Sequence, residues 1–199
     1  MIRINEIKMP LGCTEEEVKQ ATAKALKIKE SDIKAFSLAR RSIDSRKKDN
    51  IILVYSAEIE TDLDEERVVA PFPQSKAFVT KKYEYILPEV KRPFPLRPVI
   101  AGFGPAGMFA ALTLAKAGLR PIVLERGSAV EERTKEVDIF WTTRKLNTQS
   151  NVQFGEGGAG TFSDGKLTTG IKDGRCREVF LRFAEFGAPE EILYSATPH

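Results

Sequence analysis

Three glycines at positions 102, 104 and 107 have the spacing of a loop that holds a phosphate group. Gly102 permits a tight turn, Gly104 lets the backbone approach a pyrophosphate, and Gly107 lets the following helix pack closely on the preceding strand. The first turn of that helix would present free N–H groups and the positive end of its dipole to the anion. The predicted pyrophosphate contacts are therefore Gly102, Gly104, Pro105, Ala106 and Gly107.

The elements that must position this loop are two short strands and the helix between them. An apolar strand over Val99–Ala101 precedes the glycines, a helix follows them to about Ala117, and a second strand over 121–124 ends at Glu125. A carboxylate at that position predicts hydrogen bonds to the hydroxyl groups of an adenosine ribose, and it disfavours NADP, whose 2′-phosphate would meet a negative charge. This order predicts a dinucleotide-binding unit and leaves FAD and NAD open.

A second glycine-dense stretch, FGEGGAGTFSDGK, occupies residues 154–166. Its phenylalanines and charged residues are foreign to a Gly/Ser linker, so the stretch predicts a backbone cradle for a ligand. Such a cradle suits a flat flavin ring or its ribityl-phosphate tail, because backbone amides reach the ring edge without side-chain obstruction. The predicted ring-end contacts are Gly157, Gly158, Ala159, Gly160, Ser163 and Lys166.

Lys166 has two interpretations: it stabilises negative charge on a reduced flavin, or it is a phosphate contact or a plain surface lysine. The catalytic residues stay unknown, because the sequence offers neither paired carboxylates nor a Cys/His set.

The stretch GFGPAGMFAALTLAKAGLRPIVLERG resembles the FAD-binding start of the glutathione-reductase-like flavoproteins, including the ending Glu125-Arg126. The stretches SLARRSIDSRKKDNI, RPVIAGFGPAG and NVQFGEGGAGTFSDGKLTT resemble the FAD-dependent oxidoreductase family labelled NAD(FAD)-utilising dehydrogenases. The resemblance spans most of the chain from about residue 34 onward.

This resemblance implies an FAD cofactor, NAD(P)H as a candidate electron donor and a small-molecule substrate, with Arg126 at the adenine end. Family members have a small N-terminal module followed by a long FAD domain, and they are much longer than 199 residues. The chain is therefore expected to be an N-terminal fragment that is itself inactive. A NAD-binding protein, in which the second glycine stretch is only a substrate loop, is the first alternative.

The fold class predicted is α/β, with a small α+β (β-α-β-β) module before the start of a Rossmann-like FAD-binding domain. The module covers residues 1–92 and the truncated FAD-binding domain covers 93–199. The predicted elements of the module are a strand over 1–9, a helix over 15–28 opened by a capping box at Thr14, and strands over 33–43 and 51–60. A connector punctuated by Pro88, Pro93, Pro95 and Pro98 ends the module.

Charge gives a weak indication of partners. The formal net charge of +3 is the difference between 31 basic and 28 acidic residues, which disfavours a dedicated nucleic-acid domain. Five basic residues nevertheless gather in the hairpin at 40–48: Arg40, Arg41, Arg46, Lys47 and Lys48. A solvated hairpin tip is the favoured interpretation, and an RNA-associated flavoprotein that uses this hairpin remains a second alternative.

Cysteine usage and hydropathy bear on the compartment. Cys13 and Cys176 form neither a CxxC motif nor a metal-ligand pattern, and the single histidine is His199, so a reduced cytoplasmic compartment and no metal site are expected. The N-terminus lacks the apolar region of a signal peptide. The uncharged residues 98–115 reach the length of a membrane span, but their crowded glycines argue against one. The oligomeric state stays open.

Overall fold

The computed structural model describes residues 1–87, 89–91, 94–171 and 173–197. The contacts divide the chain into two compact units, Met1–Tyr85 together with Leu167–His199, and Ile86–Lys166. Pro88 and Pro93 of the predicted connector, and His199, lie outside the described residues. No described helix has both the length and the apolar character that crossing a bilayer requires.

The first unit is built on a four-stranded antiparallel sheet with the strand order β2-β3-β1-β4. The strands are β1 (Ile2–Pro10), β2 (Ala35–Asp44), β3 (Ile52–Glu60) and β4 (Ala77–Val79). Two helices lie between these strands in the sequence, α1 (Glu15–Leu26) and α2 (Glu65–Val69). The predicted β-α-β-β order is present, and α2 and β4 extend it beyond what the sequence pattern indicated.

Helix α1 begins and ends where local chemistry dictates. The Thr14 hydroxyl accepts the N–H of Glu17 at 3.3 Å, and the Glu17 carboxylate accepts the N–H of Thr14 at 2.7 Å. This is the predicted capping box. The helix ends two residues before the predicted position 28, because Lys27 adopts a left-handed conformation with φ of 60°.

The core of this unit lies between α1 and one face of the sheet. Ile2, Ile4 and Ile59 of the strands and Val18 of the helix are almost completely buried. A bulge in β1 shifts the register between Ile4 and Ile7, so both of these isoleucines face the core despite their odd spacing.

The first unit also contains the last part of the described chain. Helix α5 (Arg175–Glu185) is followed by a 3₁₀ turn over Glu190–Leu193, and Ser195 then forms a parallel bridge with Arg41 at the edge of β2. The predicted domain boundary instead grouped residues 167–199 with the glycine-rich region. That prediction concerns a longer FAD-binding domain and stays a prediction.

The second unit contains a two-stranded parallel sheet joined by a helix. Strand β5 (Val99–Ala101) pairs with β6 (Ile122–Leu124), and α3 (Pro105–Lys116) connects them. Helix α4 (Val130–Thr143) follows. The mixed α/β character of the chain is thereby confirmed, with an antiparallel sheet and a small parallel sheet among the described residues.

Candidate functional site

The first glycine turn connects β5 to α3 with close backbone packing. The N–H of Gly102 donates to the Leu124 carbonyl of β6 at 2.7 Å, and Gly102 has a positive φ of 95°. A Cβ added at Gly107 would overlap the carbonyl oxygen of Gly102. The third glycine therefore lets the first turn of α3 pack against the turn that precedes it.

The N-terminus of α3 has no side-chain cap. Its N-cap residue is Gly104, and Pro105 occupies the first turn, where a missing N–H costs nothing. No described side chain accepts a hydrogen bond from this first turn at the cap position. The helix therefore presents its amides and the positive end of its dipole at the glycine turn.

Glu125 lies directly after β6 and binds the surrounding turns through their amides. Its carboxylate accepts the N–H of Gly127 at 3.0 Å and the N–H of Phe103 at 2.5 Å. These hydrogen bonds, that of Gly127 foremost, hold the pKa of Glu125 below its ordinary value. The carboxylate is consequently ionised at neutral pH and fixes the first glycine turn to the end of β6.

The second glycine stretch packs directly on the first. The N–H of Gly157 donates to the Phe103 carbonyl at 2.9 Å. A Cβ built on Gly158 would lie 3.1 Å from the Cα of Gly104 and 3.2 Å from the Cδ of Pro105. Two stretches that are fifty residues apart in the sequence thus meet backbone to backbone at the start of α3.

A further pair of glycines, Gly127 and Gly155, also packs backbone to backbone. A Cβ on Gly127 would come within 2.5 Å of the Gly155 Cα, and a Cβ on Gly155 would overlap the side chain of Arg133. Glycine at these positions is therefore required by packing between segments, in addition to any ligand.

Arg133 of α4 organises the second glycine stretch and was not singled out from the sequence. Its side chain is completely buried. It donates to the carbonyls of Asn151 at 2.9 Å, Val152 at 2.9 Å and Glu156 at 2.5 Å. The guanidinium also lies 4.9 Å from the centre of the Phe162 ring. Burial lowers the pKa of this guanidinium, yet arginine stays charged, so one cation satisfies the carbonyls of the loop.

Glu156 completes the link between the loop and α4. Its carboxylate accepts the N–H of Val130, the first residue of the helix, at 2.8 Å, and its own N–H donates to the Ser128 carbonyl. This acid therefore acts as a cap for α4 from a distant part of the sequence.

The two glycine stretches and the end of β6 line an open cleft of about 520 Å³. Five predicted site residues are among those that line it: Gly102, Gly104, Glu125, Arg126 and Gly158. Phe154, which the prediction did not include, also lines the cleft, and the Arg126 guanidinium lies 3.5 Å from the centre of its ring. A stacked cation–aromatic pair thus forms one wall beside Glu125.

The remaining predicted ring-end contacts lie outside the residues that line this cleft. Ala159 and Gly160 belong to an exposed 3₁₀ turn over Gly158–Phe162. The Ser163 hydroxyl accepts the N–H of Gly165 at 3.2 Å, and Lys166 donates to the Asp164 carboxylate at 2.5 Å. Their assignment to a flavin ring stays a prediction.

Within the described part of the chain, two of the five cations of the basic hairpin have ion-pair partners. Arg41 pairs with Glu191 and also lies over the Tyr194 ring, and Arg46 pairs with Asp44 at 2.6 Å. These pairs reduce the positive charge that the hairpin offers to RNA, and the RNA hypothesis remains without a direct test. Within the described ranges, the acidic, cysteine and histidine side chains form no group of three suited to a metal ion.

Two comparisons show which known proteins this chain resembles. Residues 1–60, which end with β3, match a family model described as "Domain of unknown function (DUF8436)". A curated protein of Clostridium beijerinckii, described as "Uncharacterized protein", is 42% identical over 198 residues. The match covers 100% of this chain and 37% of the relative, so the chain spans little more than a third of the relative's length.

Proposed function

We propose that the second unit is the dinucleotide-binding part of an FAD-dependent oxidoreductase with a Rossmann-like β-α-β core. One observation carries this proposal: the cleft beside the start of α3 is lined by Gly102, Gly104 and Glu125 together with Gly158 of the second glycine stretch. Its volume of about 520 Å³ lies within the range of about 300–1,000 Å³ that small-molecule and cofactor sites occupy.

Each part of the cleft has a role toward such a ligand. The amides of the first turn of α3 bind the pyrophosphate, and Glu125 accepts hydrogen bonds from the adenosine ribose. Arg126, stacked on Phe154, lies at the adenine end. Bound flavin would supply the redox chemistry, with NAD(P)H as the candidate electron donor and a small molecule as substrate.

The contact between the two glycine stretches favours FAD over NAD. A minimal NAD-binding β-α-β unit has no need of a second glycine stretch, whereas here Gly157 donates to the Phe103 carbonyl of the first turn. The visible absorption of the purified longer relative distinguishes the two cofactors, since bound flavin is yellow and NAD is not. We expect flavin absorption bands, and a colourless protein that binds NAD would contradict the proposal.

Replacement of Glu125 by alanine is expected to weaken FAD binding by about 1–3 kcal/mol, the scale for losing a charged hydrogen-bond acceptor. Equilibrium titration with FAD, followed by flavin fluorescence, measures this loss. Because the pKa of Glu125 is lowered, the contribution of its carboxylate to folding is complete above the ordinary pKa and disappears as the pH falls through the lowered one.

The same change also removes the acceptor for Phe103 and Gly127, so unfolding of the apo-protein must be measured in parallel. Glu131→Ala, at an exposed acid in the first turn of α4, is the matched control. If the Glu125→Ala protein is less stable but binds FAD with unchanged affinity, then Glu125 stabilises the fold and does not bind the ribose.

A further inference from the structure

A second cleft lies in the first unit, on the side of the sheet that faces away from the core. Arg3 and Glu58 are neighbours of the core residues Ile2, Ile4, Ala57 and Ile59, and side chains alternate between the two faces of a strand. They therefore project from the opposite face. The cleft has a volume of about 610 Å³, which is within the range of small-molecule sites.

The charged residues that line this cleft have an excess of cations. They comprise the four cationic side chains of Arg3, Lys81, Lys82 and Arg177 and the two carboxylates of Glu58 and Glu60. Arg3 pairs with Glu58 at 3.3 Å. Neither Lys81 nor Lys82 has an ion pair within the described part of the chain. The excess of two positive charges favours an anion in the cleft.

Arg177 of α5 is the cation best suited to hold that anion. Its side chain is partly buried, and it is fixed by a hydrogen bond to the Leu193 carbonyl. Burial is the main cause that lowers the pKa of this guanidinium, and Glu58 partly offsets it. A partly desolvated guanidinium interacts more strongly with an opposite charge than an exposed one, and its planar fork matches phosphate and carboxylate groups.

An aromatic ring provides part of the remaining wall. Phe36 borders the cleft, but it pairs with the core residue Ile59 and packs on the core, so its ring lies on the other face of the sheet. Tyr83 also lines the cleft. The Tyr83 ring lies against Gly174, where a Cβ would come within 2.9 Å of the Tyr83 Cε2. This close packing holds the ring in place, so that it offers a fixed apolar surface beside the cations.

We propose that this cleft of the first unit binds a small aromatic anion, whose phosphate or carboxylate group lies among Arg177, Lys81 and Lys82 and whose ring contacts Tyr83. Charge selects the anionic group, and the aromatic wall adds affinity for a planar ring.

Calorimetric titration of the 199-residue chain with phenyl phosphate, benzoate and inorganic phosphate tests the proposal. We expect phenyl phosphate or benzoate to bind about tenfold more tightly than inorganic phosphate, which corresponds to about 1.4 kcal/mol for the ring. The better of the two aromatic probes distinguishes a phosphate from a carboxylate ligand. No saturable binding of either aromatic probe at millimolar concentration would overturn the proposal.

Replacing cationic and anionic residues that line the cleft should change the affinity for the probe in opposite directions. The Lys81→Gln/Lys82→Gln double variant is expected to weaken binding of the better aromatic probe about tenfold, and Glu60→Gln is expected to strengthen it about threefold, because a repelling carboxylate is removed. Lys24→Gln, at an exposed lysine of α1, is the control and should leave the affinity unchanged. Glu60 is exposed, so its replacement should preserve the fold, and an unchanged affinity in both cleft variants would refute the site.

Discussion

Replacement of Arg133 by methionine is expected to lower the free energy of unfolding of the second unit by about 3 kcal/mol or more and to abolish flavin binding. Methionine would fill much of the buried space but would leave the carbonyls of Asn151 and Val152 without their donor. The Glu156 carbonyl would lose Arg133 and keep the Thr161 hydroxyl. Each buried group that loses its partner costs about 1–3 kcal/mol. Denaturant unfolding and titration with FAD measure the two effects.

Lys135→Met is the matched control, because Lys135 lies two residues away on the same helix and its side chain is exposed. Arg133→Lys should recover only part of the stability, since an ammonium group cannot reproduce the planar fork that reaches several carbonyls at once. Equal stability and FAD affinity in Arg133→Met and Lys135→Met would show that Arg133 does not organise the loop.

Replacement of Gly158 by valine is expected to remove flavin binding and also to destabilise the apo-protein by about 2–3 kcal/mol. Gly158 has a positive φ of 64°, which β-branched residues rarely adopt, and its Cβ would press on the Gly104 backbone at 3.1 Å. The sequence alone places Gly158 in a loop outside the core and therefore predicts that this change leaves the stability of the apo-protein nearly unchanged. The contact with the first glycine turn changes that expectation.

Gly160 offers the cleaner comparison. A Cβ at Gly160 would meet no atom within 4 Å, and its φ lies outside the left-handed region. Gly160→Val should therefore change apo stability by less than about 1 kcal/mol, while a flavin ring lying against this turn would be excluded. Unchanged FAD affinity in Gly160→Val would show that the flavin ring does not contact residue 160. Unchanged FAD affinity in both Gly158→Val and Gly160→Val would contradict the proposal that the second glycine stretch is a backbone cradle for the flavin.

The features predicted correctly from the sequence depend on residues close together in the chain. The capping box at Thr14 and Glu17 and the strand over Val99–Ala101 follow from local hydrogen bonding and hydrophobic patterning. The end of α4 shows the limit of such patterns. The helix stops at Thr143 because Arg144 takes a left-handed conformation, and nothing in the surrounding composition marks that residue.

The features missed from the sequence depend on contacts between distant residues. In the sequence, Arg133 looks like one of several charged residues in a polar helix. In the structure its side chain is completely buried and donates to the carbonyls of Asn151 and Glu156. Arg41 reads as part of a basic hairpin, yet Glu191 pairs with it across 150 positions of the chain. Patterns within a short window carry no information about such partners, because the tertiary fold brings them together.

The relative's greater length bears on how the FAD proposal is tested. Since the chain spans 37% of that relative, we expect the 199-residue chain alone to hold FAD weakly and to lose it during purification. Stoichiometric FAD in the purified chain would show that these residues suffice for tight binding. Titration with added FAD, followed by the amide signals in nuclear magnetic resonance spectra, detects weak binding and locates it residue by residue.

This titration tests the FAD proposal most directly. We expect the largest chemical-shift changes at the amides of Gly102, Gly104, Gly107 and Gly158 and at the amide of Arg126, which follows Glu125. Changes confined to residues 1–85, or no changes at millimolar FAD, would contradict the proposal that the two glycine stretches bind the dinucleotide.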